Sequence, residues 1–112
     1  KKWVSVSHAD MVDKTTTIVL KLDDWIIGHI SMRVSEDNAH LFHLFIAPSH
    51  RKCGLATKLV NAIENQGKIL GCKTFSLNVV PKNEIAKKLY EKLGYKETHR
   101  SESHSIKMEK KA

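Results

Sequence analysis

A glycine-containing loop, residues 51–56, constrains the fold of this chain more than any other feature. Residues 39–48 before it are rich in aromatic and branched side chains and end at a proline, which predicts a strand. Residues 55–70 after it carry apolar side chains three and four positions apart, the spacing of an amphipathic helix. The first N–H groups of a helix have no partner inside it, and the helix dipole favours an anion there. A strand, a glycine loop and a helix therefore predict a phosphate-binding site, to which Arg51 and Lys52 add positive charge.

A second helix is predicted further along the chain. Residues 74–80 form another strand-like run, so the first helix connects two parallel strands through a right-handed crossover. The first helix is expected to end near Gly67 or Gly71. The second is expected to begin at Asn83, a good N-cap residue, and to end at Gly94, where a C-cap glycine belongs. Its expected buried stripe is Ile85, Ala86, Leu89, Tyr90 and Leu93.

The two ends of the chain carry fewer markers. Residues 15–22 and 25–34 have the composition of two strands joined by a tight turn, a β-hairpin that leads into the strand before the loop. Residues 1–14 are poorly defined and predict a short strand plus a loop. Residues 107–112 predict a last strand that runs into a charged tail. The two tryptophans are expected to be packing residues: Trp3 and Trp25.

Two motifs, in this order, carry a family resemblance. They are Arg51-x-x-Gly54-x-Ala56 after the first strand, and Asn83-x-x-Ala86-x-x-Leu89-Tyr90-Glu91-Lys92-Leu93-Gly94-Tyr95 in the second helix. With them the chain resembles the GCN5-related N-acetyltransferase superfamily, from about Thr16 to about Met108. The resemblance implies a single α/β domain over residues 1–112, with a mixed, mostly antiparallel sheet of about five to seven strands, a central β–α–β crossover and splayed parallel strands. Because the chain has no room for the family's usual N-terminal helices, it is expected to be either a trimmed or incomplete form or a compact member of the family.

The resemblance implies transfer of an acetyl group from acetyl-CoA to a primary amine, by direct attack in a ternary complex. Amides and cations suit the phosphates of coenzyme A, and a strand with an unpaired edge can pair with its peptide-like arm. The cofactor-binding residues that it implies are Phe45, Ile46, Arg51, Lys52, Cys53, Gly54, Leu55, Ala56, Thr57, Asn78, Asn83, Ala86 and Tyr90. No metal is expected, because the seven histidines are scattered without an i, i+4 pair that acidic residues support.

The catalytic residues implied by the resemblance are Tyr90 and His40. The phenol of Tyr90 would protonate the departing thiolate, and a backbone N–H near Ile46 would stabilise the oxyanion. Many family members have a glutamate base where this chain has His40, and a histidine with a reference pKa of about 6.5 suits that role. Two alternatives stay open: Tyr90 as a core residue, and His40 as a strand histidine hydrogen-bonded to a neighbour. Strand alternation would place His40 and His43 on opposite faces.

Composition agrees with one small cytoplasmic enzyme domain. A chain of 112 residues has room for a single core. Its two cysteines are separated by a whole helix and match neither a disulfide framework nor a metal motif. No apolar stretch approaches the ~20 residues that span a bilayer, so no membrane partner is expected. The net charge of +7 permits weak nucleic-acid contact, but no motif predicts specific recognition of nucleic acid.

Three functional classes follow from these features. The first is an N-acetyltransferase whose partners are acetyl-CoA and an unidentified amine, either a small molecule or a protein amine. The second is an acyl-CoA-binding regulatory module with little or no turnover, and the third is a basic nucleic-acid-associated protein. Without the N-terminal helices, the acceptor site would be open or completed by a second subunit, so a homodimer is one expected state.

Overall fold

The computed structural model describes residues 4–8, 15–23, 25–50, 54–100 and 105–112, which form a seven-stranded mixed sheet and two α-helices. The strands are β1 (Val4–His8), β2 (Thr15–Leu22), β3 (Trp25–Ser35), β4 (Asn38–Ile46), β5 (Thr74–Val79), β6 (Lys96–Arg100) and β7 (Ile106–Lys111). The helices are α1 (Leu55–Ile69) and α2 (Glu84–Lys92), and a short 3₁₀ turn covers Pro48–His50. Neither α-helix in this described part has the length and apolar character that a membrane crossing requires.

The strands lie in the order β1-β2-β3-β4-β5-β7-β6. β4 and β5 are parallel neighbours connected by α1, and the other neighbouring strands are antiparallel. This arrangement confirms the predicted mixed, mostly antiparallel sheet and its central β–α–β crossover. Only residues 9–14 separate β1 from β2, and this connection is too short to contain two helices. The chain therefore has the predicted compact form of the fold.

The sequence pattern does not predict β6. Its residues show no apolar alternation, and the described side chains of Lys96, Glu97, Thr98 and His99 are exposed. β7 pairs between β5 and β6, so β6 is an edge strand of the sheet. Charged side chains on an edge strand discourage pairing with another chain, which explains why this strand lacks an apolar face.

Both helices pack on the same face of the sheet. Gly67 of α1 lies directly over the ring of Phe75 in β5. The Tyr95 hydroxyl, which follows α2, donates a 2.8 Å hydrogen bond to Glu64 of α1. The opposite face, named the open face here, carries no helix among the described residues and presents Arg33, His40, Phe42, Ser76, Asn78, Lys107 and Glu109.

The end of α2 follows a glycine-dependent motif that positions two tyrosines. The backbone N–H of Gly94 bonds to the carbonyl of Glu91 at 3.1 Å, and that of Tyr95 bonds to the carbonyl of Tyr90 at 2.9 Å. Gly94 has a φ of 101°, so the predicted C-cap glycine is confirmed. This pairing of backbone groups brings the two tyrosine rings edge to face, with centroids 5.7 Å apart.

A buried carboxylate ties this helix end to the rest of the core. Glu64 is buried, and its second oxygen accepts a 3.0 Å bond from the ammonium of Lys110 in β7. The same ammonium lies 5.6 Å from the centre of the Tyr95 ring. Burial, followed by the hydrogen bond to Glu64, raises the pKa of Tyr95. Both oxygens of this buried charge therefore have a partner, which is the condition for burying it at tolerable cost.

α1 continues through Gly67 and ends at Ile69, so of the two expected ends the one near Gly71 is confirmed. Two other expectations from the sequence are wrong. Ile85 is 81% exposed, because it lies in the first turn of α2, where no described element covers it. Trp25 is 77% exposed, since it forms the last pair of the β2–β3 hairpin, at the tip, where a side chain is open to solvent. Trp3 lies outside the described residues.

Replacing Thr16 with valine is expected to stabilise the fold. Thr16 is 3% exposed on the buried face of β2, and its hydroxyl has no hydrogen-bond partner among the described residues. An unsatisfied buried polar group costs about 1–3 kcal/mol, so Thr16→Val should raise the free energy of unfolding, measured by urea denaturation, by about 1 kcal/mol. Thr17→Val is the matched control, because the Thr17 hydroxyl already bonds Ser31 at 2.9 Å. Equal effects of the two changes would contradict this explanation.

Candidate active site

β4 and β5 separate partway along their length. They pair only between Asn38–His40 and Thr74–Ser76. Beyond that point the β3–β4 register shifts, so that His43 and Leu44 together lie opposite Ile30. His43 has a φ of 56°, the left-handed conformation of a β-bulge. The extra residue bends β4 away from β5, which confirms the predicted splayed strands. It also interrupts the regular alternation of side chains along β4, so strand alternation no longer determines whether His40 and His43 lie on opposite faces.

The gap between the strands is one part of a cleft made of two cavities: the inner one lies in the gap, and the outer one lies between β4 and the starts of the two helices. The inner cavity, of about 270 Å³, is lined by Leu41, Phe42, His43, Leu44, Leu77, Asn78, Val79, Val80, Asn83, Ala86 and Tyr90. The outer cavity, of about 490 Å³, is lined by Leu44, Phe45, Ile46, Gly54, Leu55, Ala56, Thr57, Asn83, Ile85, Ala86 and Leu89. Leu44, Asn83 and Ala86 line both cavities. The cleft therefore runs from the start of α1, along β4, to Tyr90.

The start of α1 is open to an anion. Gly54 precedes the helix with a φ of 76° and a ψ of 8°, and no described side chain caps the first amides. No acidic residue occupies the first turn, so the positive end of the helix dipole has no carboxylate beside it. α2 differs on both counts, because Asn83 caps it and Glu84 lies in its first turn. Of the two helix starts on the cleft, α1 is the one suited to phosphate.

Asn83 combines two roles at the start of α2. Its Oδ1 accepts a 3.1 Å hydrogen bond from the backbone N–H of Ala86, which confirms the predicted N-cap. The same residue lines both cavities, and its Nδ2 group has no hydrogen-bond partner among the residues that the structure describes, so it can donate to a ligand. Capping and ligand contact are therefore compatible at this position.

The structure brings most of the predicted cofactor-binding residues together. Those that line the cleft are Phe45, Ile46, Gly54, Leu55, Ala56, Thr57, Asn78, Asn83, Ala86 and Tyr90. Arg51, Lys52 and Cys53 lie outside the described residues. The sequence motifs miss the walls contributed by the β4 bulge and by the end of β5, which are Leu41, Phe42, His43, Leu44, Leu77, Val79 and Val80. Strand pairing, which the motifs do not encode, brings these residues to the gap.

Tyr90 lies at the inner end of the cleft. It is 7% exposed and also lines the inner cavity. Burial raises the pKa of its phenol to about 12, so the hydroxyl keeps its proton at neutral pH. Its burial matches the interpretation of Tyr90 as a core residue, and the catalytic role stays a prediction.

His40 lies beside the cleft rather than in its lining. Its Nδ1 is 2.9 Å from the hydroxyl oxygen of Ser76, which also accepts a 3.1 Å bond from Asn38 Nδ2. Burial, and then the positive charge of Lys107, lowers the pKa of His40 below 6.5. The ring is therefore mostly neutral at pH 7. The hydrogen bond with Ser76 matches the alternative interpretation from the sequence, in which His40 is a strand histidine bonded to a neighbour. Nε2 remains as the nitrogen that can exchange a proton with a substrate.

The described residues contain no cluster of three or more histidine, cysteine, aspartate or glutamate side chains suited to a metal ion. The polar groups around the cleft are instead backbone amides, two amide side chains, a threonine hydroxyl, a phenol and two imidazoles. These groups suit an organic ligand that carries phosphates and amides.

Comparisons with known proteins agree with this geometry. The chain is 35% identical over 57 residues to aminoglycoside N(6')-acetyltransferase type 1 of Salmonella typhimurium, covering 51% of this chain and 39% of that protein. It is 38% identical over 72 residues to the [ribosomal protein bS18]-alanine N-acetyltransferase of Haemophilus ducreyi, covering 64% of this chain and 50% of that protein. It thus spans half or less of the length of these curated relatives.

A solved structure shares the fold over almost the whole chain. It is a GNAT family acetyltransferase from Elizabethkingia anophelis with acetyl-CoA bound, which superposes with a TM-score of 0.86 at 10% identity and covers 97% of this chain and 98% of its own. The sequence profile of the acetyltransferase (GNAT) family matches residues 3–95. Because that match extends over most of the chain, the resemblance found in the sequence is confirmed: this protein belongs to the acetyltransferase (GNAT) family.

Proposed function

We propose that the chain transfers an acetyl group from acetyl-CoA to an amine by direct attack in a ternary complex. The observation that carries the proposal is one continuous cleft that joins three groups of matching chemistry. It begins at the uncapped amides of α1, follows the splayed strand β4 and ends at the protonated phenol of Tyr90. These groups suit, in this order, phosphates, an amide-bearing arm and a departing sulfur.

The residues of the cleft would divide the binding of acetyl-CoA between them. Acetyl-CoA supplies the acetyl group as a thioester. The amides of Leu55, Ala56 and Thr57 would hold the diphosphate at the positive end of α1. β4 has no partner in β5 between Leu41 and Phe45, so this stretch could pair with the arm as if it were an added strand.

Tyr90 would act on the sulfur as the bond to the acetyl carbon breaks. The amine nitrogen forms the new bond to that carbon, the carbon–sulfur bond breaks, and one proton leaves the nitrogen. A thiol has a pKa of about 8.5, below the value of about 12 for Tyr90, so complete proton transfer from the phenol is uphill. A hydrogen bond from the phenol to the developing thiolate is therefore the role that the magnitudes favour.

His40 is the proposed base for the amine proton. It can accept a proton at Nε2 in the tautomer whose Nδ1–H donates to Ser76, either directly or through one water. Because the pKa of His40 lies below 6.5, kcat/KM calculated per concentration of neutral amine should rise with pH through that lowered pKa and reach a plateau above it. His40→Ala should remove this acidic limb and lower the plateau by about 10²-fold.

The control for this pH profile is His99→Ala. His99 is exposed on β6, outside the lining of the cleft, so its removal should leave the acidic limb in place. An unchanged profile in His40→Ala would eliminate His40 as the base and leave it a structural strand histidine.

The proposed function is tested by mixing the protein with acetyl-CoA and a panel of primary amines. Free thiol release, together with the mass of an acetylated amine, would support the transferase. Binding of acetyl-CoA without thiol release for any amine would favour the alternative, an acyl-CoA-binding regulatory module. The cytoplasmic location expected from the sequence stays a prediction.

A further inference from the structure

Residues from both faces of the sheet line the inner cavity. Leu41 and Leu77 line it on the helix side, where Phe75, two residues before Leu77, contacts α1. Phe42 and Asn78 line it from the open face, because neighbouring residues of a strand point to opposite faces. The proposed phosphate site lies on the helix side of the sheet, at the start of α1. The acceptor amine would therefore approach from the open face, between Phe42 and Asn78, and this part of the cleft is named the mouth. This step rests on the proposed function.

Strand register places cationic side chains around that mouth. Lys107 of β7 pairs with Asn78, so it stands directly beside one wall. Arg33 of β3 pairs with His40, which lies one open-face position before Phe42 on the other wall. The electrostatic effect of Lys107 on His40, across β5, is consistent with both side chains being near the mouth.

Positive charge dominates the open face among the described residues of β3 to β7. Its cations are Arg33, Lys96, Lys107 and Lys111, and its carboxylate is Glu109. Glu109 offsets one of these cations, because one of its oxygens lies 3.6 Å from the Lys107 ammonium and 3.2 Å from the Thr98 hydroxyl. The distance to Lys107 is longer than a direct hydrogen bond, so the half-exposed ammonium can still bind a ligand carboxylate. The carboxylates of Glu36 and Asp37 lie in the β3–β4 turn, at the end of β4 away from the cleft. A substrate at this mouth therefore meets a positive field.

We propose that the acceptor is an amine that also carries a carboxylate a few bonds away, and that Lys107 binds this carboxylate. A positive mouth attracts such a molecule and disfavours a polycationic amine, since like charges at a contact are costly. Neighbouring strands lie about 4.8 Å apart and a lysine side chain is flexible, so the carboxylate would sit roughly 5–8 Å from the reacting nitrogen. An amino-terminal residue followed by an acidic one has this separation, whereas aminoglycosides are polycations.

Three dipeptide amides with the same reacting amine test the proposal. Gly-Asp-NH2, Gly-Asn-NH2 and Gly-Lys-NH2 share the glycine amine and carry an anionic, a neutral and a cationic second side chain, and spermidine adds a polycation. The Asp and Asn peptides are nearly the same shape, so their comparison isolates the charge. Thiol release is measured at about pH 8, where α-amino groups are about half neutral and His40 has lost its proton. The expected order of kcat/KM is Asp, then Asn, then Lys, with steps of about three- to ten-fold that shrink as salt is added.

Lys107→Gln identifies the residue responsible. The ratio of kcat/KM for the Asp peptide to that for the Asn peptide should fall to about one, because the charge that distinguishes them is gone. Lys107→Glu should reverse the ratio. Lys88→Gln is the matched control: Lys88 is exposed on α2, on the other face of the sheet, so the preference should persist.

The possible outcomes separate this proposal from the function on which it rests. A higher kcat/KM for spermidine or the Lys peptide than for the Asp peptide would overturn it, as would a preference that survives Lys107→Gln. Both results leave the transferase intact. Failure of every amine to release thiol would instead remove the proposed function, and this inference with it.

Discussion

Replacing Gly54 with glutamate is expected to abolish the binding of acetyl-CoA. Gly54 precedes the open amides of α1, and space for a side chain exists there, with nothing within 4 Å of an added Cβ. Glutamate would place bulk and negative charge where the diphosphate is proposed to bind. Each hydrogen bond to a charged group contributes about 1.5–3 kcal/mol, so the loss of two or more should weaken binding by about 100-fold or more. Isothermal titration calorimetry measures this directly.

Gly71→Glu is the matched control for this change. Gly71 lies just beyond the other end of α1, with a φ of 88° against 76° for Gly54, and it too has nothing within 4 Å of an added Cβ. A non-glycine residue in this left-handed conformation costs about 1–2 kcal/mol, so both variants should lose similar stability. Only Gly54→Glu should lose affinity. Unchanged affinity in Gly54→Glu, or equal losses in the two variants, would remove the phosphate site at α1.

Replacing Tyr90 with phenylalanine is expected to lower kcat by about 10²-fold, while the KM for acetyl-CoA changes little. The ring remains to fill the core and contact Tyr95, and only the hydroxyl of this cavity-lining residue is lost. That hydroxyl is proposed to help in the transition state, when charge develops on sulfur, which is why the effect should fall on kcat. Steady-state thiol release over a range of acetyl-CoA concentrations separates kcat from KM.

Tyr95→Phe controls for the loss of a buried hydroxyl in general. The Tyr95 hydroxyl bonds the buried carboxylate of Glu64, so its removal leaves that charge with the Lys110 ammonium as its described partner. The free energy of unfolding should fall by about 1–3 kcal/mol, without a comparable loss of kcat in the folded protein. If Tyr90→Phe behaved in the same way as Tyr95→Phe, Tyr90 would be a core residue and not a catalytic one.

The parts of the fold that local chemistry determines could be predicted from the sequence. Asn83 caps α2 because its side chain reaches the amide three residues on, and Gly94 ends it because a positive φ is required there. Gly54 likewise stands at the left-handed position before α1. Each of these residues caps a helix or adopts a positive φ for reasons that lie within a few positions along the chain, so the residue pattern and spacing are sufficient to predict it.

Features that depend on distant pairing could not be predicted. The bulge at His43 is defined by its pairing with Ile30 on β3, and no residue type near His43 indicates a bulge. The edge position of β6 follows from the insertion of β7 beside β5. Ile85 fits the apolar period of α2 and is still exposed, because periodicity indicates which face could be buried and not whether anything covers it.

The most direct test of the proposed function is the structure of the protein with coenzyme A bound. Diphosphate oxygens are expected within hydrogen-bond distance, roughly 2.7–3.2 Å, of the backbone nitrogens of Leu55, Ala56 and Thr57. The sulfur is expected beside Tyr90, at the inner end of the cleft. A diphosphate bound elsewhere, or an arm that leaves the gap between β4 and β5 empty, would contradict the proposed function.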